Sequence, residues 1–200
     1  NSDSLQAIQQ FIDHTFQDRV HEGLYKPVPL KVVEAQRIDN ETATAYYKSC
    51  CDRFRAARRG SSKRLQDEIL TVDACNTQYG DVLLGDQKLD SSISECLLFH
   101  GTSPEAAEVI KRKDFQVSDQ TAHGDLYGKG VYLAESCTKA HMYAKESDRG
   151  FPILIVRTAL GEIENVTDSR PNVTTLEAGA RDGKFDSVCG DRRQLKSKYS

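Results

Sequence analysis

The sequence predicts one domain in which amphipathic helices alternate with short strands. Three observations carry that reading. Leu5, Ile8, Ile12 and Phe16 recur at helical spacing. The run from Pro152 to Ala159 is apolar and β-branched, which suits a central strand. Finally, 200 residues with 38% hydrophobic and 28% charged side chains can bury a single core beneath a solvated surface.

Taken in order, residues 4–18 read as a helix packed on the domain through its apolar stripe. Pro27 and Pro29 break the chain. Val28 to Ile38 reads as a strand with Leu30, Val32 and Val33 as its apolar content. Asp39 or Asn40 can cap a helix over 41–59 by accepting from its first N–H groups. Arg53, Arg55, Arg58, Arg59, Lys63 and Arg64 form a basic end to that helix. They are placed to complement the helix dipole on a solvated surface, with a phosphate or nucleic-acid contact as the alternative.

Residues 76–94 are polar and rich in turn formers and read as a loop. Cys96 to His100 is a short apolar strand, and Pro104 to Lys113 a helix that buries Ala106, Ala107, Val109 and Ile110. A loop runs from Phe115 to Gly128, followed by a strand over Gly130 to Ala134 and a helix over Ser136 to Lys145. From Gly161 to Ser200 the residues are mostly turn chemistry with little core. No internal repeat or low-complexity tract interrupts this order.

Charge and cysteine usage narrow the function classes. The 27 basic and 30 acidic residues leave a net charge of −3, which argues against a nucleic-acid partner held by bulk electrostatics. Local basic patches keep nucleic acid open as a partner. No apolar run approaches the roughly 18 residues of a membrane helix. The polar start lacks the layout of a signal peptide. With no initiator Met, the chain reads as cut from a longer protein.

Cys50, Cys51, Cys75, Cys96, Cys137 and Cys189 contain no C-x-x-C pair, and no His stands at zinc-ligand spacing from a cysteine pair. They read as reduced thiols of an intracellular protein, nuclear or cytoplasmic, with no metal site. Three Asn-x-Thr sequons at Asn40, Asn165 and Asn172 read as chance in a chain of this composition.

The block from Phe99 to Ala144 is the chemically informative one. It opens with Phe99-His100-Gly101-Thr102 and continues through Tyr127-Gly128-Lys129-Gly130-Val131-Tyr132. It closes on Lys139-Ala140-His141-Met142-Tyr143. A His-Gly-Thr, a glycine-framed Tyr and a second Tyr in that order resemble the catalytic core of the poly(ADP-ribose) polymerase-like ADP-ribosyltransferases, of the His–Tyr–Glu type. The resemblance covers most of residues 5–200, and with no long all-helical region upstream it leans toward the mono-ADP-ribosylating or tankyrase-like branches.

The resemblance implies an α+β fold of two packed, mainly antiparallel sheets with flanking helices. It implies a single catalytic domain over residues 1–200, ending before the last strands. NAD+ would be the substrate, ADP-ribose the group transferred and nicotinamide the leaving group, with a protein as the favoured acceptor and transfer of a single unit preferred. The alternative is a catalytically silent module of the same fold that binds NAD+ or ADP-ribose.

Residue by residue, it implies that Gly101 pairs its backbone with the nicotinamide carboxamide and that His100 bonds a hydroxyl of the adenine-side ribose. Tyr143 would stack on the nicotinamide ring and Tyr132 would close its other side. An offset aromatic stack is worth about 0.5–1.5 kcal/mol beyond area burial. Thr102 completes the first motif. Ser118, Asp119, His123 and Tyr127 are candidates on a loop that would cover the bound substrate, and Lys129 would meet the pyrophosphate or face solvent.

The chain departs from the pattern at two places. Many members carry Ser where this chain has Ala140, and Thr138 lies two positions too early to replace it. One missing neutral hydrogen bond weakens ligand binding by about 1 kcal/mol. The second departure is the third catalytic residue, a Glu or its substitute expected on a strand after the acceptor loop. The last Glu in the sequence is Glu177, on the wrong side of that loop in the match. The expectation is that the missing strand lies beyond Ser200.

Overall fold

The computed structural model describes residues 2–17, 27–57, 69–117 and 126–191. Helix α1 spans Ser2–His14 and sinks Ala7, Phe11 and Ile12 into the interior. The expected strand over Val28 to Ile38 is not formed: the segment has no regular secondary structure and pairs with no strand among the described residues. Its backbone is held instead by Gln9 of α1. The Gln9 amide donates to the Leu30 carbonyl at 2.9 Å and its carbonyl accepts from the Val32 N–H at 2.7 Å. A primary amide offers one donor and one acceptor side by side, so it can serve as a one-residue substitute for a neighbouring strand.

Helix α2 spans Glu41–Ala57. Of the two proposed caps, Asn40 is the one used: its Oδ1 accepts from the Ala43 N–H at 3.0 Å. Arg55 pairs with Asp52 and Asp90, both at 2.8 Å, which fits the solvated reading of the basic stretch. The rest of that stretch, Arg58 to Arg64, lies outside the described residues.

The expected loop over 76–94 contains a helix. Helix α3, Leu70–Cys75, is followed closely by α4, Gln78–Leu84, and by a 3₁₀ turn at Ser91–Ile93. The turn-forming residues are the ends of these elements. Thr77 caps α4, and Gly85 leaves it at φ +58°. A Cβ at Gly80 would overlap the Cys75 carbonyl, so only glycine lets the two short helices meet this closely.

Strand β1, Glu95–Gly101, runs antiparallel to β2, Ile153–Ala159, pairing His100 with Leu154 and Gly101 with Ile153. β2 is half-buried along its whole length and pairs only with β1 among the described residues, so it is not the central strand expected. β1 takes that place. It is buried over Glu95–Phe99, and beyond β2 it also makes a bridge from Phe99 to Ala134. That single bridge is what remains of the expected strand over Gly130 to Ala134.

Helix α5, Pro104–Lys113, begins as predicted, with Ser103 as its cap and Pro104 in the first turn. None of its residues is fully buried, contrary to expectation: Ala106, Ala107 and Ile110 are half-covered and Val109 is exposed. The helix lies on the surface, outside both hydrophobic clusters.

The main core joins Phe11, Ile12, Ala74, Leu97, Phe99, Cys137 and Ala140, with the Phe11 and Phe99 rings 5.2 Å apart. Beneath β1 lies a buried polar cluster. Glu95, 3% exposed, accepts from Arg157 through both oxygens at 2.7 and 2.9 Å and from the Tyr47 hydroxyl at 2.6 Å. Burial pushes the Glu95 carboxyl up. The bonds from Arg157, Tyr47 and the Asp90 N–H outweigh it and hold the group below the usual carboxylate range.

The C-terminal stretch is more structured than its turn-rich composition predicts. β3, Ile163–Val166, runs parallel to β4, Ser187–Gly190, with α7, Val173–Arg181, between them. Val166, Leu176 and Phe185 form its own small cluster. The polar residues again serve as caps, with Asn172 accepting from the Thr175 N–H at 3.0 Å. Gly179 leaves room for the Phe185 ring. The two sheets are thus one antiparallel pair and one parallel pair. All six cysteines are free thiols.

Candidate active site

The end of β1 presents His100 and Gly101. His100 Nδ1 lies 2.9 Å from the Tyr132 carbonyl oxygen. A carbonyl only accepts, so Nδ1 carries the proton and donates. With Nδ1 as the sole donor of the ring, Nε2 is an acceptor suited to a hydroxyl. The Phe115 ring meets His100 edge to face at 5.1 Å. Two contacts therefore set the imidazole plane, one at each side of the motif.

Phe115 reaches His100 because the chain turns sharply after α5. Asp114 ends that helix at φ +65° and ψ 177°, a backbone conformation that side-chain-bearing residues rarely adopt, and its carboxylate accepts from the Phe115 N–H at 2.8 Å.

Gly101 is buried, and the space a Cβ would need is taken by the Ala140 carbonyl. The fold itself therefore requires glycine here, so that α6, Cys137–His141, can press against the strand. This requirement adds to the ligand-approach reading of Gly101 from the sequence. Thr102 continues the connection: its carbonyl accepts from the Lys145 N–H at 3.0 Å.

That bond draws the chain out of the helix early. α6 stops at His141, four residues before the predicted end, and Tyr143 sits on the turn that follows. Its ring is 59% exposed, with Lys139 Nζ 5.3 Å from the ring centre. A large exposed ring beside a glycine strand end is available for stacking. Ala140 beneath it is 2% exposed. Thr138 is also buried and already accepts from the Gln17 N–H at 3.0 Å, so it is occupied elsewhere.

Tyr132 faces outward at 38% exposure, but its hydroxyl is tied back. It donates to the Gly128 carbonyl at 2.7 Å and accepts from the Tyr127 N–H at 3.0 Å. Tyr127 in turn packs against the C-terminal cluster, and a Cβ at Gly190 would overlap its hydroxyl. Ser118, Asp119 and His123 lie outside the described residues.

The structure thus joins His100 to Tyr132, Gly101 to Ala140 and Thr102 to Lys145 at the end of β1, with Tyr143 on the turn after Ala140, whereas Tyr127 meets the hydroxyl end of Tyr132 and the C-terminal cluster. Two contributors had no signal in the sequence as motif members. In sequence Phe115 only opens a loop, and Glu177 stands on the wrong side of the acceptor loop to be the third catalytic residue. Glu177 Oε1 accepts from the Lys129 N–H at 3.1 Å, next to Gly128 at φ +93°. Among the described residues no group of three or more His, Cys, Asp or Glu could hold a metal ion, and no helix is long and apolar enough to cross a membrane.

A family model described as the poly(ADP-ribose) polymerase catalytic domain matches residues 2–188. Among curated proteins, the chain is 31% identical over 70 residues to the protein mono-ADP-ribosyltransferase PARP12 of Mus musculus, covering 35% of this chain. It is 30% identical over 128 residues to the protein mono-ADP-ribosyltransferase PARP11 of the same organism, covering 62%. It is 30% identical over 101 residues to the poly [ADP-ribose] polymerase tankyrase of Caenorhabditis elegans, covering 48%. The aligned stretches span only 10%, 37% and 4% of those relatives' own lengths.

Proposed function

The chain belongs to the poly(ADP-ribose) polymerase catalytic-domain family, and from that premise we propose that it is one catalytic domain that transfers a single ADP-ribose from NAD+ to a protein. The observation that supports this reading is the end of β1, where His100 bonds the Tyr132 carbonyl and Gly101 lies against the Ala140 carbonyl, which also accepts from the Tyr143 N–H. The names of two of the similar proteins, both mono-ADP-ribosyltransferases, support transfer of a single unit.

In this reading the nicotinamide ring lies between Tyr143 and Tyr132, its carboxamide on the Gly101 backbone. His100 Nε2 accepts from a hydroxyl of the adenine-side ribose. The C1′–N bond of the nicotinamide ribose breaks, and nicotinamide leaves with the electron pair. Positive charge develops on the ribose as in glycoside cleavage. A nucleophilic oxygen, nitrogen or sulfur of the acceptor supplies the pair for the new bond to C1′ and gives up its proton. The residues of the strand end contribute orientation, holding C1′ open to attack from the face opposite nicotinamide.

A second reading, a silent NAD+- or ADP-ribose-binding module, draws on Ala140, which supplies no hydroxyl where many members have one. Incubation with NAD+ labelled in the adenine moiety separates the two. Release of nicotinamide with label on protein is the expected result, abolished by His100→Ala. Binding of NAD+ without nicotinamide release would falsify the transferase reading.

A further inference from the structure

We propose that Glu177 is the positioning residue for Tyr132 and acts on it through a single peptide plane. The inference rests on the reading of Tyr132 as a wall of the NAD+ pocket. The plane is the peptide joining Gly128 to Lys129. Its N–H end donates to Glu177 Oε1 at 3.1 Å. Its C=O end accepts from the Tyr132 hydroxyl at 2.7 Å. A trans peptide is flat, with its N–H and C=O pointing in opposite directions. Gripping one end therefore fixes the direction of the other.

The grip matters because Gly128 is the residue most able to turn. At φ +93° it occupies a region that only glycine enters readily, and a glycine peptide rotates with little steric resistance. Rotation of this plane would swing the carbonyl away from Tyr132 and release the ring. A carboxylate is a strong acceptor for a backbone N–H and opposes that rotation. Gly128 also has to be glycine for this contact: a Cβ there would lie 2.9 Å from Glu177 Cγ and 3.0 Å from Oε1.

The second hold on the Tyr132 hydroxyl, from the Tyr127 N–H, leads to the same place. Tyr127 packs on Val166, Leu176 and Phe185, the cluster that α7 helps to build. These two contacts to the Tyr132 hydroxyl thus return to the segment over 163–190. That segment has no ligand-facing residue in the reading above, and its part would be to set the angle of the nicotinamide-side wall.

The test uses two probes on the purified chain: benzamide, a flat carboxamide that mimics nicotinamide, and ADP-ribose, which lacks the nicotinamide ring. Hydrogen exchange at the Lys129 amide is followed by NMR in parallel. Glu177→Ala is expected to speed Lys129 exchange about tenfold or more. It should weaken benzamide roughly three- to tenfold while changing ADP-ribose by less than about twofold. Glu177→Gln keeps a carbonyl acceptor at the same reach and is expected to restore most of both effects. Glu177→Asp withdraws the carboxylate by one methylene and should behave like Glu177→Ala; it decides the matter if Glu177→Ala does not fold.

Unchanged Lys129 exchange, or faster exchange with unchanged benzamide affinity, overturns the proposal. So does equal weakening of both probes, which marks a merely structural role. Wild-type protein that binds neither probe overturns the pocket itself, and Lys129 exchange then still shows whether Glu177 holds the peptide.

Discussion

The two walls of the candidate site are supported very differently. His100 and Gly101 grow directly out of β1, whose preceding residues Cys96 and Phe99 are fully buried in the main core. Tyr132 stands on a loop whose supports are hydrogen bonds and the small cluster of Val166, Leu176 and Phe185. One wall inherits the stability of a whole core. The other depends on a satellite that can loosen while the rest stays folded, because local opening needs few contacts to be lost.

The sharpest way to break this comparison is to empty each cluster in turn. Phe99→Ala should cost about 3–5 kcal/mol, since the ring is completely buried against Phe11. Thermal unfolding should drop by roughly 2–4 °C per kcal/mol in a domain of this size, and every ligand should be lost together. Phe185→Ala should fall at or below the bottom of that range, because a cluster of this size can collapse around the gap. Its signature would be weakened benzamide binding with a smaller loss of melting temperature than Phe99→Ala shows. Equal melting losses for the two variants would show that the satellite is not separate at all.

A somewhat smaller effect is expected at the polar floor of β1. Glu95→Gln leaves Arg157 and Tyr47 facing a neutral amide and should destabilise by about 2–3 kcal/mol, reduced from a fully buried pair because Arg157 reaches solvent. The Glu95 carboxyl is held below its ordinary range in the folded protein. Its contribution is therefore present above the unfolded value, about 4.3, and is lost as pH falls through the lower folded value. The stability gap between wild type and Glu95→Gln, measured by urea unfolding, should be constant near neutrality and shrink only in acid. A gap that closes above pH 6 would show that Glu95 is not the charged partner.

At the site itself, Tyr143→Ala should change stability by less than about 0.5 kcal/mol, as expected for an exposed side chain. It should weaken benzamide by roughly tenfold, by loss of buried area and stacking. Calorimetry measures both, and unaltered binding would remove Tyr143 from the pocket. The smallest change is Ala140→Ser, which restores a hydroxyl beside Gly101. It should tighten benzamide by a few-fold, about 1 kcal/mol or less. No gain would indicate that the buried hydroxyl bonds to the helix instead of the ligand.

Much of the site was legible because its signals are local. His100-Gly101-Thr102 is one tripeptide, the glycines around Lys129 stand next to Tyr132, and the order of these short runs alone carried the resemblance. Helix starts were legible for the same reason, since a cap acts across three residues, as at Asn40 and Ser103. Where the reading failed, it failed in one consistent way. Thr77, Gly85 and Asn172 carry loop chemistry in sequence, whereas Thr77 and Asn172 start helices and Gly85 ends one. Polar and glycine residues mark the ends of short elements as strongly as they mark loops, and one-turn to two-turn helices hold little periodic signal between their ends.

The sequence by itself determined which residues gather at the strand end and which chemistry they resemble, because glycine conformations, caps and motif spacings are settled within a few bonds of the residue concerned. Only the tertiary structure decided how those residues are held. It placed the Ala140 carbonyl where a Gly101 side chain would stand, turned Phe115 onto His100, and brought Glu177 to the Gly128–Lys129 peptide. It also put Arg157 of β2 on Glu95 of β1. Each of these contacts joins residues distant along the chain, and nothing in either partner's immediate neighbours specifies the other. They exist because the packed core closes the chain on itself, and closure is a property of the whole fold.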